Sequence, residues 1–476
     1  MNKNKSILIL IFILFQNNFI HAQSLKEQID SLLTDNFFQG TQIGIDIFDL
    51  TSKEPLYSKN EKYLLRPAST LKILTTAASL LFLEDYSFST SIYYTGDVED
   101  SICNADLFLV GGLDPDFTST DLDSLVREIK NHGINEIQGN LYADISIMDS
   151  LFWGEGWMWD DDPYPFAAYL SALNINDNSI KVIYEPGVIG KPVLIKLSPE
   201  TKYVEVRNQS VTFEGDSSSL KINRDWINRK NVITVDGFVP ANQKIDTVTL
   251  NIFDPAKYFT TLFLESLNKH GIKNKKKFEF KNLEEDSEEI ITVERNIDSV
   301  IINTNKNSDN LSAEMLLRAL GNEYYGKPSS AAKGKILIDS LIEIAGFNPQ
   351  NFRIADGSGL SFYNLVTPQL LNGILKYFYY EEPELFVKLY NSFPISGFDG
   401  SLQKRMINSN SFRKVRAKTG TLSGVSNLSG YMTNKNNHVI AFTIMIQNYV
   451  GSAQTARAVQ DRISEIIYNY DIEIAK

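Results

Sequence analysis

The stretch Arg66-Pro67-Ala68-Ser69-Thr70-Leu71-Lys72, followed by an apolar run from Ile73 to Leu83, decides how the rest of this chain is read. A serine and a lysine three positions apart at the start of a helix lie one turn apart on one face, so the amine reaches the hydroxyl. That is a nucleophile beside a base. The Ser-x-x-Lys spacing occurs six times, at Ser69, Ser218, Ser266, Ser330, Ser401 and Ser411, and carries little by itself. Ser69 has a proline two residues before it and a long, largely apolar helix-forming stretch directly behind it, which places the serine at a helix N-terminus. The ordinary alternative is a buried core helix.

With 476 residues the chain is long enough for two or three domains, and its 43% hydrophobic and 22% charged content is that of a globular protein. Lys3 and Lys5 ahead of the apolar run Ile7 to Phe15, then His21-Ala22-Gln23, read as a secretory signal cleaved after Ala22. No later stretch has the length of a membrane helix, so an exported, periplasmic protein without a transmembrane anchor is expected. The net charge is -12, and loss of residues 1–22, with two lysines and no acid, takes it to -14. Such a balance argues against nucleic acid as a partner. Cys103 is the single cysteine, and His132, His270 and His438 are far apart without ligand spacing. No disulfide, zinc-thiolate site, metal or cofactor is expected.

Along the chain, Ser24 to Asp35 reads as a short helix and Gln42 to Leu50 as a strand, with a partner strand from Pro55. Phe88 to Tyr94, Leu107 to Val110 and Gly139 to Ala143 read as strands, with a helix near Asp121 to His132. Trp153 to Tyr164 combines three tryptophans with three consecutive aspartates. It reads either as a cation or sugar-stacking surface or as packed indoles beside a solvated turn. Residues 181–251 are strand-rich, Lys273 to Glu289 reads as a charged boundary, and helices dominate from Val293 until a last strand and helix.

Three short elements stand in order: Ser69-x-x-Lys72, Ser308-Asp309-Asn310 and Lys418-Thr419-Gly420. Acyl transfer by a serine needs a base, donors for the oxyanion and a shuttle returning the proton to the leaving amine. Lys72, desolvated and beside a helix N-terminus and another cation, would have a lowered pKa and act as base. Ser308 would relay protons, and Asn310 would bind a substrate amide. Lys418 with Thr419 and Thr421 would hold a substrate carboxylate, and Gly420 would leave room for a substrate backbone.

Together these motifs resemble the penicilloyl-serine transferases. More narrowly, the chain resembles the exported D-alanyl-D-alanine carboxypeptidase/endopeptidases of the penicillin-binding protein 4 type. The similarity includes Gly111-Gly112-Leu113-Asp114-Pro115, Gly156-Trp157-Met158-Trp159-Asp160-Asp161, Asp356-Gly357-Ser358-Gly359-Leu360-Ser361 and Gly397-Phe398-Asp399-Gly400-Ser401-Leu402. It implies an α+β fold: a helix-sheet-helix domain like those of serine β-lactamases and transpeptidases, formed by residues 23–86 and 286–476. Strand-rich accessory domains would be inserted over 87–285.

The resemblance further implies Ser69 as the acylated nucleophile, Lys72 as its base, and the Ser69 and Thr421 backbone N–H groups as the oxyanion hole. Asp144, in Tyr142-Ala143-Asp144-Ile145-Ser146, matches a family position that meets the amine of the stem-peptide side chain; a turn or cap aspartate is the plain alternative. Peptidoglycan stem peptides and crosslinks are the implied substrates, with β-lactams as covalent inhibitors. Two departures stand out. Phe362-Tyr363 occupies a place where many relatives have arginine, and Leu113 stands where a third glycine is commoner. A β-lactamase or esterase of the same fold, and a non-catalytic wall-binding protein, are the competing functions.

Overall fold

The computed structural model describes residues 24–96 and 98–471. The leader reading of residues 1–22 falls outside them. No helix among the described residues is long and apolar enough to cross a membrane.

The two ends of the chain build one antiparallel sheet in the order Glu54–Lys59, Gln42–Asp49, Val439–Gln447, Val425–Thr433, Val415–Leu422. Gln42 pairs with Gln447 and Asp49 with Ile440, so the first and last strands are hydrogen-bonded neighbours. Pro55 lies in the edge strand, where its missing N–H breaks no central ladder. The run Val439–Gln447 is apolar almost throughout because helices cover both sheet faces. Ile440, Phe442, Ile444 and Ile446 pack toward the helices Leu25–Leu32 and Gln454–Asn469, and Ala441 and Met445 toward the opposite core. Side chains alternate across a strand, so a doubly covered strand reads as continuous rather than alternating hydrophobicity.

On that opposite face lie the helices Lys72–Phe82, Asn310–Tyr325, Ala331–Ile344 and Pro368–Glu381. Asp309 caps the Asn310–Tyr325 helix by accepting from Ser312 N at 2.6 Å.

The middle of the chain forms a second five-stranded sheet, ordered Phe278–Phe280, Leu141–Asp144, Asp106–Gly112, Ser87–Thr95, Glu288–Asn296. The strand-rich character of 181–251 appears as two three-stranded sheets and a two-stranded one between Ser179 and Asn251. Lys273 to Glu289 differs from its reading as a solvated boundary: Lys273–Asn274 and Phe278–Phe280 pair with Glu136–Ile137 and Leu141–Ala143. Its charged side chains point outward while its backbone completes sheets, which charge patterning alone does not reveal. Leu113, in place of the third glycine, takes φ +66° and is wholly buried. The turn is kept at the cost of a left-handed backbone at a bulky residue.

Candidate active site

Ser69 does not sit inside the α-helix. It lies in a single 3-10 turn, Ala68–Leu71, that runs into the α-helix at Lys72. Ala68 holds φ +46°, an uncommon conformation for a residue with a Cβ. The turn is clamped from two sides. A Cβ on Gly420 would lie 2.7 Å from Pro67 O and 3.0 Å from Thr70 N, and one on Gly359 would lie 1.9 Å from Ala68 O. On its Cβ side, the space at Gly420 is taken up by the protein's own nucleophile turn. Asn427 Nδ2 fixes the entry to the turn by donating to Arg66 O at 2.9 Å and Pro67 O at 2.6 Å.

Lys72 is wholly buried, and its ammonium donates to Ser69 Oγ at 3.0 Å, Asn310 Oδ1 at 2.5 Å and Ser358 O at 2.7 Å. Three acceptors from three distant parts of the chain converge on one nitrogen. Burial lowers its pKa to about 8, against the opposing pull of the Asp309, Asp356 and Glu314 carboxylates. Of the three expected causes, desolvation is the one that dominates. Lys418 is also wholly buried; its Nζ donates to Ser308 Oγ at 2.8 Å and Thr419 O at 3.0 Å. Burial, and then the charge of Lys72, push it well below the ordinary lysine value.

Asn310 has both ends of its amide engaged, since Nδ2 donates to Phe166 O at 2.6 Å. It orients Lys72 and ties the Trp-rich segment to the site. Ser308 takes φ +62° between two helices and presents its hydroxyl to Lys418. Thr419 Oγ1 donates to Ser401 Oγ at 2.7 Å, and Thr421 is exposed.

The strand Val415–Leu422 is the last of its sheet. Ala417 N donates to Pro394 O and Val415 O accepts from Ser396 N, so the odd-numbered residues turn their backbone groups to the outer edge. The same alternation puts the N–H of Thr421 on that edge.

No role is legible in the sequence for Glu314, or for the segment 356–361 beyond its part in the resemblance. Glu314 Oε1 accepts from Gly357 N at 2.9 Å and Ser358 N at 3.0 Å, and Thr75 Oγ1 donates to Gly357 O at 2.6 Å. These bonds hold the Ser358 carbonyl on Lys72. Trp157 Nε1 donates to Asp356 Oδ2 at 2.9 Å, so that indole packs rather than stacking on sugar. Trp159, by contrast, is 71% exposed with its ring 4.8 Å from that of Trp226. Of the consecutive aspartates, Asp162 is buried in an ion pair with Arg224.

Asp144 is placed apart from these groups. Its carboxylate is 4% exposed, accepts from Ser146 N and Leu283 N at 2.8 Å each, and lines neither cleft beside Ser308. The geometry is that of the plain alternative, a carboxylate fastening two loops. At Phe362-Tyr363, cations reach the rings from elsewhere: Arg66 lies 5.5 Å over Phe362 and Arg353 lies 4.6 Å over Tyr363.

Two clefts meet at Ser308. One, of about 570 Å3, is lined by Asp116, Asp177, Asp309 and Lys181 together with Ser308 and Asn310. The other, of about 880 Å3, holds Ser69, Ser308, Thr419 and Thr421 beside Lys404, Arg405, Arg457 and Asp461.

A D-alanyl-D-alanine carboxypeptidase of Actinomadura sp. (strain R39) is 30% identical to this chain over 470 residues, covering 94% of this chain and 85% of the relative. The crystal structure of penicillin binding protein 4 from Haemophilus influenzae aligns with a TM-score of 0.81 at 27% identity, covering 93% of this chain and 98% of that one. The same H. influenzae protein in complex with a β-lactam aligns with a TM-score of 0.77. The architecture is therefore the expected α+β fold of penicillin-binding enzymes with additional domains. Residues 25–470 match the model of one peptidase family, and the chain belongs to it: the D-Ala-D-Ala carboxypeptidase 3 (S13) family.

Proposed function

We propose that the protein is a serine D-alanyl-D-alanine carboxypeptidase that also cleaves peptidoglycan crosslinks, and that penicillin acylates it at Ser69. The single observation that carries the assignment of the nucleophile is the Lys72 amine, wholly buried and 3.0 Å from Ser69 Oγ, with its pKa near 8. A lysine so placed is neutral in about a tenth of molecules at pH 7, far more than an ordinary lysine. It can take the serine proton, which an exposed lysine cannot do efficiently.

Ser69 Oγ attacks the carbonyl carbon of the penultimate D-alanine while its proton passes to Lys72. The oxyanion lies between the backbone N–H groups of Ser69 and Thr421, the latter on the open strand edge. As the C–N bond breaks, the proton taken up by Lys72 is passed to the leaving amine through Ser308 and Lys418, which are 2.8 Å apart, and Lys72 is neutral again. Water then attacks the Ser69 ester, Lys72 takes its proton and returns it to Ser69 Oγ as the ester C–O bond breaks, and the shortened peptide leaves with the serine restored. Crosslink cleavage follows the same steps with a longer leaving group. Peptidoglycan lies outside the cytoplasmic membrane, so the substrate puts the enzyme in the periplasm.

The test is to incubate the protein with labelled penicillin and, separately, with a peptide ending in D-Ala-D-Ala. Long-lived labelling that is absent in Ser69→Ala, together with D-alanine release, is the expected result. Rapid penicillin turnover would instead make it a β-lactamase, and folded protein that takes no label would make it a wall-binding protein.

A further inference from the structure

The substrate of the proposed reaction ends in a free carboxylate, and the sequence assigns its charge partner to Lys418. The structure leaves Lys418 poorly suited to that task. Its side chain is wholly buried, and its ammonium is held by Ser308 Oγ and Thr419 O. Burial and the nearby Lys72 drive it toward the neutral form. A neutral amine supplies a hydrogen bond but no net charge to an incoming anion.

A different cation faces the same cleft. Arg457, on the helix Gln454–Asn469, is exposed, and its Nη2 donates to Thr421 Oγ1 at 3.3 Å. The nearest acidic residue on its helix, Asp461, is taken: its Oδ1 accepts from Arg405 Nε at 3.0 Å and Nη2 at 2.5 Å. Arg405 is itself only 12% exposed and donates further to Gln460 Oε1 and to the Arg457 carbonyl. Among the described residues Arg457 makes no ion pair. Three cations and one carboxylate thus line this side of Ser69, whereas three aspartates and one lysine line the cleft on the far side of Ser308. In a protein of net charge -12, a cationic wall next to the nucleophile is a local feature that attracts anions.

Resting on the function proposed above, we infer that Arg457 recognises the free C-terminal carboxylate of the leaving D-alanine and so sets the enzyme's preference for peptides that end in an acid. The guanidinium forms a fork that matches a carboxylate, and the Thr419 and Thr421 hydroxyls complete the donor set along the strand edge. The peptide then lies with its C-terminal residue toward the helix Gln454–Asn469 and its body on the side of the acidic cleft.

The experiment compares kcat/KM for a peptide ending in D-Ala-D-Ala with that for the same peptide as its C-terminal amide. Wild-type protein should prefer the acid, and in Arg457→Gln the acid-over-amide ratio should fall by about 10–100-fold, the scale of a lost charged hydrogen bond. Arg457→Lys restores the charge without the fork and should recover part of the ratio, which a merely structural role would not produce. An Arg457→Gln ratio within about twofold of wild type, or a wild-type enzyme indifferent to the amide, overturns the inference while leaving the proposed function standing. Protein that cleaves the terminal bond of neither peptide overturns both.

Discussion

Each buried lysine of the site exchanges stability for reactivity. Lys72, held at about 8 by burial, should give penicillin acylation an ascending pH limb that levels off above about 8, since only the neutral amine accepts the serine proton. A limb centred near 10, the ordinary lysine value, would contradict Lys72 as the base. The linkage to stability has a definite sign. Between pH 8 and 10.5 the unfolded chain keeps a proton that the folded one has shed, so Lys72 makes stability rise with pH across that window. Below it, burial of the charged form costs roughly 3 kcal/mol. Gly420→Ala is the second test at this scale. The added methyl meets the Pro67 carbonyl at 2.7 Å and must displace the Ser69 turn. Overpacking of this kind costs about 1–3 kcal/mol, so acylation should slow about 10–100-fold, read as the rate of labelling by penicillin.

Among the elements, the segment 356–361 depends on neighbours far away in sequence. Its Asp356 accepts from Trp157 Nε1, Asn364 Nδ2 and the backbone N–H groups of Gly359 and Ser361, while Glu314 holds Gly357 and Ser358. Trp157→Phe removes one donor from a buried carboxylate and should lower stability by about 1–3 kcal/mol, measured by urea unfolding. Because the same segment presents the Ser358 carbonyl to Lys72, the variant should also shift the pH limb of acylation. An unchanged limb would show that the segment holds its position without the indole. Helices elsewhere in the chain were legible in the sequence: Ser24–Asp35 was expected and Leu25–Leu32 is formed, and Asp121–His132 corresponds to Ser119–Asn131. Their caps and periodicity are local. The 3-10 turn at Ser69 was not legible, because its left-handed Ala68 is imposed by Gly359 and Gly420 pressing on it from other elements.

At the scale of the molecule, Ser87 pairs with Asn296, so the chain leaves for its middle region and returns at adjacent positions of one ladder. We place the return of the inserted region near residue 296 rather than 286, because Glu288–Asn296 is hydrogen-bonded into the sheet of the middle segment. The Trp-rich segment joins this region to the site: Phe166 O receives Asn310, and Asp162 pairs with Arg224, whose guanidinium also reaches Asn251. Arg224 is among the largest fully buried side chains. Arg224→Met leaves Asp162 buried without its cation and should cost about 3–5 kcal/mol in urea unfolding. A loss below 1 kcal/mol would mean that Tyr169, whose hydroxyl donates to Asp162 at 2.6 Å, suffices alone.

By itself the sequence marked out Ser69, Lys72, Ser308 and Lys418 as a candidate set, and the fold puts Lys72 against Ser69 and Lys418 against Ser308. It also determined the strand-rich middle and the helices, because periodicity and caps are properties of neighbouring residues. The lowered pKa of Lys72 was expected from its motif, but only the tertiary structure decided what surrounds the amine. Burial lowers the pKa of Lys72, Asn310 and Ser358 arrive at its amine from 238 and 286 residues away, and Arg457 faces a cleft that no local pattern marks. It also shows the Asp144 carboxylate accepting from the Ser146 and Leu283 N–H groups. Desolvation and long-range contact depend on what the fold places around a group, and a linear motif contains no record of that.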